Sequence, residues 1–273
     1  MQTPRHKRLR KASYKEAMKL YPIIFTNEVA RSVAGSLEKN IAAKLIYDDT
    51  VVLFSTNRMD KILSNASKSS LYKYNFEAWR QQVIKSLSDS AIVATVSFDK
   101  ISPNLYTVST SAGVSGFGPL AYQLVMQKIK PTNDWLKSDV SVSTTAHNVW
   151  NKMYQLADLY ERKWLGDFNP IYIKNALRTH AIRGYDPSVN GQTEAEVAAF
   201  LNKNSPNPQD EDVFKNYGNL YAYRLKNDIA EYKTLYDKGE IFFGGLDRYD
   251  ISESDFKHIF DKSTSSFFSR RYK

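Results

Sequence analysis

Residues 106–129 carry the feature that most limits how this chain can fold. A β-branched run, YTVSTSA, leads without a break into the glycine-spaced loop GVSGFG (113–118). The loop leads directly into PLAYQLVMQKI, which has helical spacing and Pro119 in its first turn, where the missing N–H is harmless. A strand, a tight turn and a helix in that order require a sheet with a helix laid on it. The glycines let the backbone turn sharply and let ligand atoms come close. The loop amides then lie at the positive end of a helix dipole, a setting suited to a phosphate or pyrophosphate.

Two familiar phosphate loops do not fit. A Walker loop needs GxxxxGK[ST], and no lysine follows Gly118. The dinucleotide fingerprint needs GxGxxG, whereas this loop is GxxGxG. The acidic residue expected about twenty positions later at the end of a second strand is also missing; Asp139 is the nearest and follows a different pattern.

The longer patterns V-x-x-S-A-G-x-x-G-F-G-P-L-x-Y (108–122) and S-D-x-x-V-S-x-x-A-x-x-V-W (138–150) resemble the GNAT superfamily of N-acetyltransferases, closest to the variant that bacteriophages encode. The resemblance covers residues 90–160. It implies acetyl-CoA or another acyl-CoA as co-substrate, no metal, and transfer of the acyl group to an unknown amine. It implies a cofactor site at Val108, Gly113, Val114, Ser115, Gly116, Phe117, Gly118 and Ser143, with the loop amides on the CoA pyrophosphate. A bulge-like splay of the strand before the loop would hold the pantetheine as an added strand does.

The chain departs from the family pattern at two places. Gly113 stands where the family has Gln or Arg. Trp150 stands where many members have a tyrosine that protonates the departing thiolate, and an indole cannot do that. Tyr154, one turn further on, is the candidate substitute, and Asp99 and Asp139 are the nearest carboxylates, with Asp139 the candidate base. Aminolysis of a thioester relies mostly on positioning and an oxyanion contact. A second expectation from another class is a catalytically lapsed structural protein of a virion.

Charge bears on both expectations. The chain has 273 residues and a formal charge of +9. Arg5, Lys7, Arg8, Arg10 and Lys11 hold five positive charges, and Arg270, Arg271 and Lys273 hold three, which leaves +1 for residues 12–269. Two basic tails on a near-neutral body suit nucleic acid or an acidic virion protein. The tyrosines at 217, 221, 223, 232 and 236, interleaved with Arg224, Lys226 and Lys233, would either stack on bases or, more commonly, line a core or interface. There is no cysteine, so thiolate metal sites, disulfides and a Cys nucleophile are excluded. No two of His6, His147, His180 and His258 have metal-ligand spacing, and His147 reads as a surface or capping residue. With no apolar run of membrane length and no secretory core, the expected location is the host cytoplasm or the virion.

The expected fold class is α/β (α+β): a GNAT-like mixed central sheet flanked by helices, with a mainly helical C-terminal extension. The expected organisation is a basic tail (1–11), an acyl-CoA-binding domain (12–165), a helical extension (166–262) and a basic tail (263–273). Within it, helices are expected over 12–40, 75–88, 119–129, 144–165 and 193–203, and helical spacing also marks the stretch from Asp210 through Lys238. Strands are expected on either side of Asp48-Asp49, over 91–99 and 104–112, and briefly over 138–143. Asn75 and the pair Thr193/Glu196 are the expected helix caps.

Overall fold

The computed structural model describes residues 41–113, 117–139, 142–204, 212–228, 232–246, 249–252 and 254–255. The helix expected over 12–40 lies outside them. Seven strands form one mixed sheet flanked by helices, in the order β1-β2-β3-β4-β5-β7-β6. The described chain divides into two compact units, one containing residues 41–98, 110–124 and 232–255, the other 99–109 and 125–228.

In the first unit, β1 (Ile41–Ile46) and β2 (Thr50–Ser55) make an antiparallel hairpin that closes at Ile46↔Thr50. The expected turn is present; Tyr47 and Asp48 adopt φ of 49° and 60°, which an aspartate tolerates better than most residues. β2 pairs antiparallel with β3 (Ile92–Ser102). Between them the chain forms α1 (Thr56–Ser67), α2 (Leu71–Tyr74) and α3 (Phe76–Ser86). The Asn75 side chain accepts from the Ala78 amide at 3.1 Å and starts α3 as expected. The apolar stripe of α3 buries Trp79, whose indole N–H donates to the Ala66 carbonyl at 2.8 Å. The core around Trp79, Phe54 and Leu87 is completed by Phe243, Leu246 and Ile251 from the far end of the described chain. Phe243 belongs to α9 (Tyr232–Gly244), which packs on β1.

In the second unit, β5 (Trp135–Lys137), β6 (Tyr160–Trp164) and β7 (Tyr221–Leu225) join the start of β4 (Leu105–Gly113). Their aromatic side chains Tyr160, Trp164, Tyr221 and Tyr223 form the core with Trp150 of the helix before β6, and all five are buried. α5 (Thr144–Gln155), α6 (Pro170–Thr179), α7 (Pro187–Asn190) and α8 (Glu194–Asn204) complete it. Thr193 and Glu196 form the expected capping box before α8, exchanging bonds of 3.3 and 2.9 Å. The helix between β4 and β5 is numbered α4 (Gly118–Ile129).

Three element assignments need correction. A short strand lies at 135–137; of the expected 138–143, residues 138, 139, 142 and 143 are not strand, and 140 and 141 lie outside the described residues. The helix expected over 144–165 stops at Gln155, and 160–164 becomes β6, because its outer residues Tyr160 and Trp164 bury as the ends of a strand paired to β7. The helical reading from Asp210 onward fails over 213–225, where two 3-10 turns (Val213–Asn216, Gly218–Leu220) precede β7. Gly218 fits there because a Cβ would sit 2.3 Å from the Trp150 carbonyl oxygen.

Candidate functional site

β4 is the organising element. It pairs in parallel with β5 through only three positions, Leu105↔Trp135, Tyr106↔Leu136 and Thr107↔Lys137. β5 ends there, while β4 runs on to Gly113. Side chains take over where the ladder stops. The Ser138 carbonyl accepts from Lys137 Nζ at 2.9 Å and from Thr107 Oγ1 at 3.3 Å, and Thr107 Oγ1 in turn accepts from Lys137 Nζ at 3.1 Å. Lys137 is buried, with its ammonium 4.8 Å from the Tyr172 ring centre. Burial pulls it down from the ordinary lysine value to about 8, partly opposed by the Asp139 carboxylate. Nothing in the sequence WLKSD distinguishes this lysine from a solvated one. Val108, one residue beyond the last pair, is also buried.

Of the glycine loop, Gly113, Phe117 and Gly118 are described, and Val114, Ser115 and Gly116 lie outside the described residues. A Cβ on Gly113 would approach Ala94 Cβ to 3.2 Å, so close strand packing accounts for glycine at this position. Gly118 opens α4 with nothing within 4 Å of where its Cβ would be. Phe117 is buried, and its carbonyl accepts from the Ala121 amide at 3.1 Å, which closes the first helical turn. Ser111 and Tyr122 share a hydrogen bond of 2.7 Å, linking the end of β4 to α4. Burial raises the Tyr122 phenol, with Ser111 opposing. Both residues belong to the motif at 108–122.

Ser143 is the N-cap of α5, its Oγ accepting from the Ala146 amide at 3.3 Å. Trp150 is buried below it on the same helix. Tyr154, the candidate proton donor, gives its hydroxyl to Asp212 Oδ1 at 3.1 Å, and the Arg162 guanidinium stacks 4.0 Å over its ring. Burial pushes its phenol up to about 12, with Arg162 opposing. Tyr154 is thus held by Asp212 and Arg162, whereas Asp139, half-buried just past β5, acts on Lys137.

One further expectation is corrected, and the favoured core reading of the tyrosines at 217, 221 and 223 holds. His147 is buried, its ring 4.3 Å from that of His180 in an edge-on contact. Burial, reinforced by His180, holds it down at about 4. His180 is also lowered by burial, and its Nε2 lies 2.7 Å from Asn219 Oδ1. Thirty-three residues of sequence separate the two rings, so spacing gave no sign of the pair. Among the described residues no three His, Asp or Glu side chains gather as a metal site. Tyr217, Tyr221 and Tyr223 are buried and do not form an exposed base-stacking face. The basic residues Arg5, Lys7, Arg8, Arg10, Lys11, Arg270, Arg271 and Lys273 lie outside the described residues. No helix among the described residues is long and apolar enough to cross a membrane.

Compared with known proteins, the chain matches no family model, no curated protein and no solved structure.

Proposed function

We propose that the chain is an acyl-CoA-dependent N-acyltransferase. The observation that carries this reading is the early end of the β4–β5 ladder, followed by the continuation of β4 into a glycine-spaced loop and α4. A strand that runs on past the end of its neighbour can accept the amides of a pantetheine arm as an added strand. Backbone N–H groups at a helix start suit the pyrophosphate. In the reaction an uncharged amine attacks the thioester carbonyl, the C–S bond breaks, and the departing thiolate takes up a proton while the amine loses one. Asp139 is the candidate acceptor of the amine proton. Tyr154, held by Asp212 and raised to about 12, is a weaker proton donor than a free phenol.

That same bond favours a second reading, a lapsed acyltransferase fold serving as a structural protein of a virion, with nucleic acid or acidic neighbours at the basic tails. Calorimetric titration of acetyl-CoA into the full chain separates the two. Micromolar binding that is lost in Gly116→Trp supports the enzyme. No heat at millimolar acetyl-CoA overturns it.

A further inference from the structure

The second unit carries a concave surface of about 650 Å³ that is lined on one side by cations. Lys174 and Arg178 stand four residues apart on α6, so they project from one helix face. Beyond Thr179 the chain reverses. The Leu177 carbonyl accepts from the amides of His180 and Ile182, at 3.1 and 3.2 Å, and Ala181 takes the left-handed φ of 59°. The reversal brings Arg183 to the same concavity, and Gly184 continues it at φ 83°.

The rest of the lining is fixed from below. Tyr185 is buried, donates to the Gly191 carbonyl at 2.8 Å and packs edge-on against Phe200. Asp186 is the one carboxylate in the lining, and it is taken up as the cap of α7. Its Oδ1 accepts from the Ser188 amide at 3.0 Å and from the Ser188 hydroxyl at 2.6 Å. Arg178 and Arg183 are exposed and form no ion pair with any described residue. By contrast, the half-buried Arg80 is matched to Asp255 at 2.8 Å and Arg224 to Glu161.

Three cations against one engaged carboxylate leave an excess of about two positive charges, close to the charge of a phosphate monoester. A single carboxylate ligand would leave part of that excess uncompensated. Guanidinium groups offer paired N–H donors that match phosphate oxygens. The volume falls within the ordinary range of ligand pockets. We infer that Lys174, Arg178 and Arg183 form a phosphate-binding site that takes the phosphates of a free nucleotide or of a nucleic-acid strand. The site uses no residue of β4 or its loop and does not depend on the acyl-transfer reading.

The test uses the full chain at about 50 mM salt, with two probes: ATP followed by calorimetry, and a fluorescein-labelled oligothymidylate followed by anisotropy. Arg178→Ala/Arg183→Ala removes the exposed cations. Lys61→Ala/Lys85→Ala removes two exposed charges from α1 and α3 as the control of equal net charge. The expected result is at least tenfold weaker binding of one probe in the arginine variant and less than twofold change in the control. Loss of ATP binding assigns the site to free nucleotides. Loss confined to the oligonucleotide assigns it to a nucleic-acid backbone. Equal weakening in both variants, or no binding that the arginine pair affects, overturns the proposal. Circular dichroism of both variants confirms that the fold is intact.

Discussion

Lys137 and His147 each bury a basic group that would be more comfortable charged in water. Their folded values lie below their unfolded ones, at about 8 against 10.5 and about 4 against 6.5. The unfolded chain therefore binds more protons than the native one in two windows, and stability rises with pH across each. Stability is expected to climb between pH 4 and 6.5 as His147 stops opposing folding, and again between pH 8 and 10.5 as Lys137 does. Urea denaturation across pH 4–11 measures both rises. Lys137→Met should flatten the upper one and add about 1–2 kcal/mol at pH 7, since it removes a buried charge while Thr107 still donates to the Ser138 carbonyl. A Lys137→Met profile that keeps the upper rise would show that another group causes it. Neither burial was legible in the sequence. A lysine beside a serine and an aspartate, and a histidine near a helix start, both look solvated until the long-range contacts with Tyr172 and His180 are known.

Among the elements, α9 and β1 illustrate how close backbones set a residue type. A Cβ at Gly239 would lie 1.8 Å from the Ala43 carbonyl oxygen, inside any allowed contact. The helix is also tied by Lys44 Nζ to Glu240 at 2.6 Å and by Phe243 packed edge-on against Phe54. Gly239→Ala must push α9 away from β1 and open that core. A loss of about 3 kcal/mol or more is expected, read as a fall in the thermal midpoint; an unchanged midpoint would mean the helix does not pack there. Elements with a single clear period were legible. The β1–β2 and β3–β4 hairpins alternate β-branched residues around turn residues, and α3 announces its cap. β6 and β7 were not legible, because Tyr160 and Trp164 in β6 stand four apart as on a helix face, Tyr217, Tyr221 and Tyr223 satisfy a spacing of four and a spacing of two at once, and a five-residue strand is too short to break the tie. β5 has only three residues, too few for any periodic signal. The glycine loop was the part of the candidate site that the sequence displayed best, since its spacing is local. The bond from Tyr154 to Asp212 spans fifty-eight positions and was not.

For the whole molecule, charge is the property read most directly from the sequence. Five of the net nine positive charges sit within the first eleven residues. If those residues contact duplex DNA, removing them should lower the magnitude of the slope of log affinity against log salt by about 4.5, because each phosphate contact contributes about 0.9. Affinity measured at several salt concentrations, for the full chain and for one lacking residues 1–11, checks this. An unchanged slope would place the polyanion contacts elsewhere.

The core around Trp79 has a further consequence, in the order of synthesis. Trp79, Phe54 and Ile92 emerge from the ribosome early, but Phe243, Leu246 and Ile251, which close the same cluster, follow about 150 residues later. At 5–20 residues per second that interval is roughly 8 to 30 s. During it a nascent chain holds an apolar cluster with one wall missing, the kind of surface that holding chaperones recognise. The first unit thus reaches its finished form only after the whole of the second has been made, so its folding cannot run in the order in which its residues are translated.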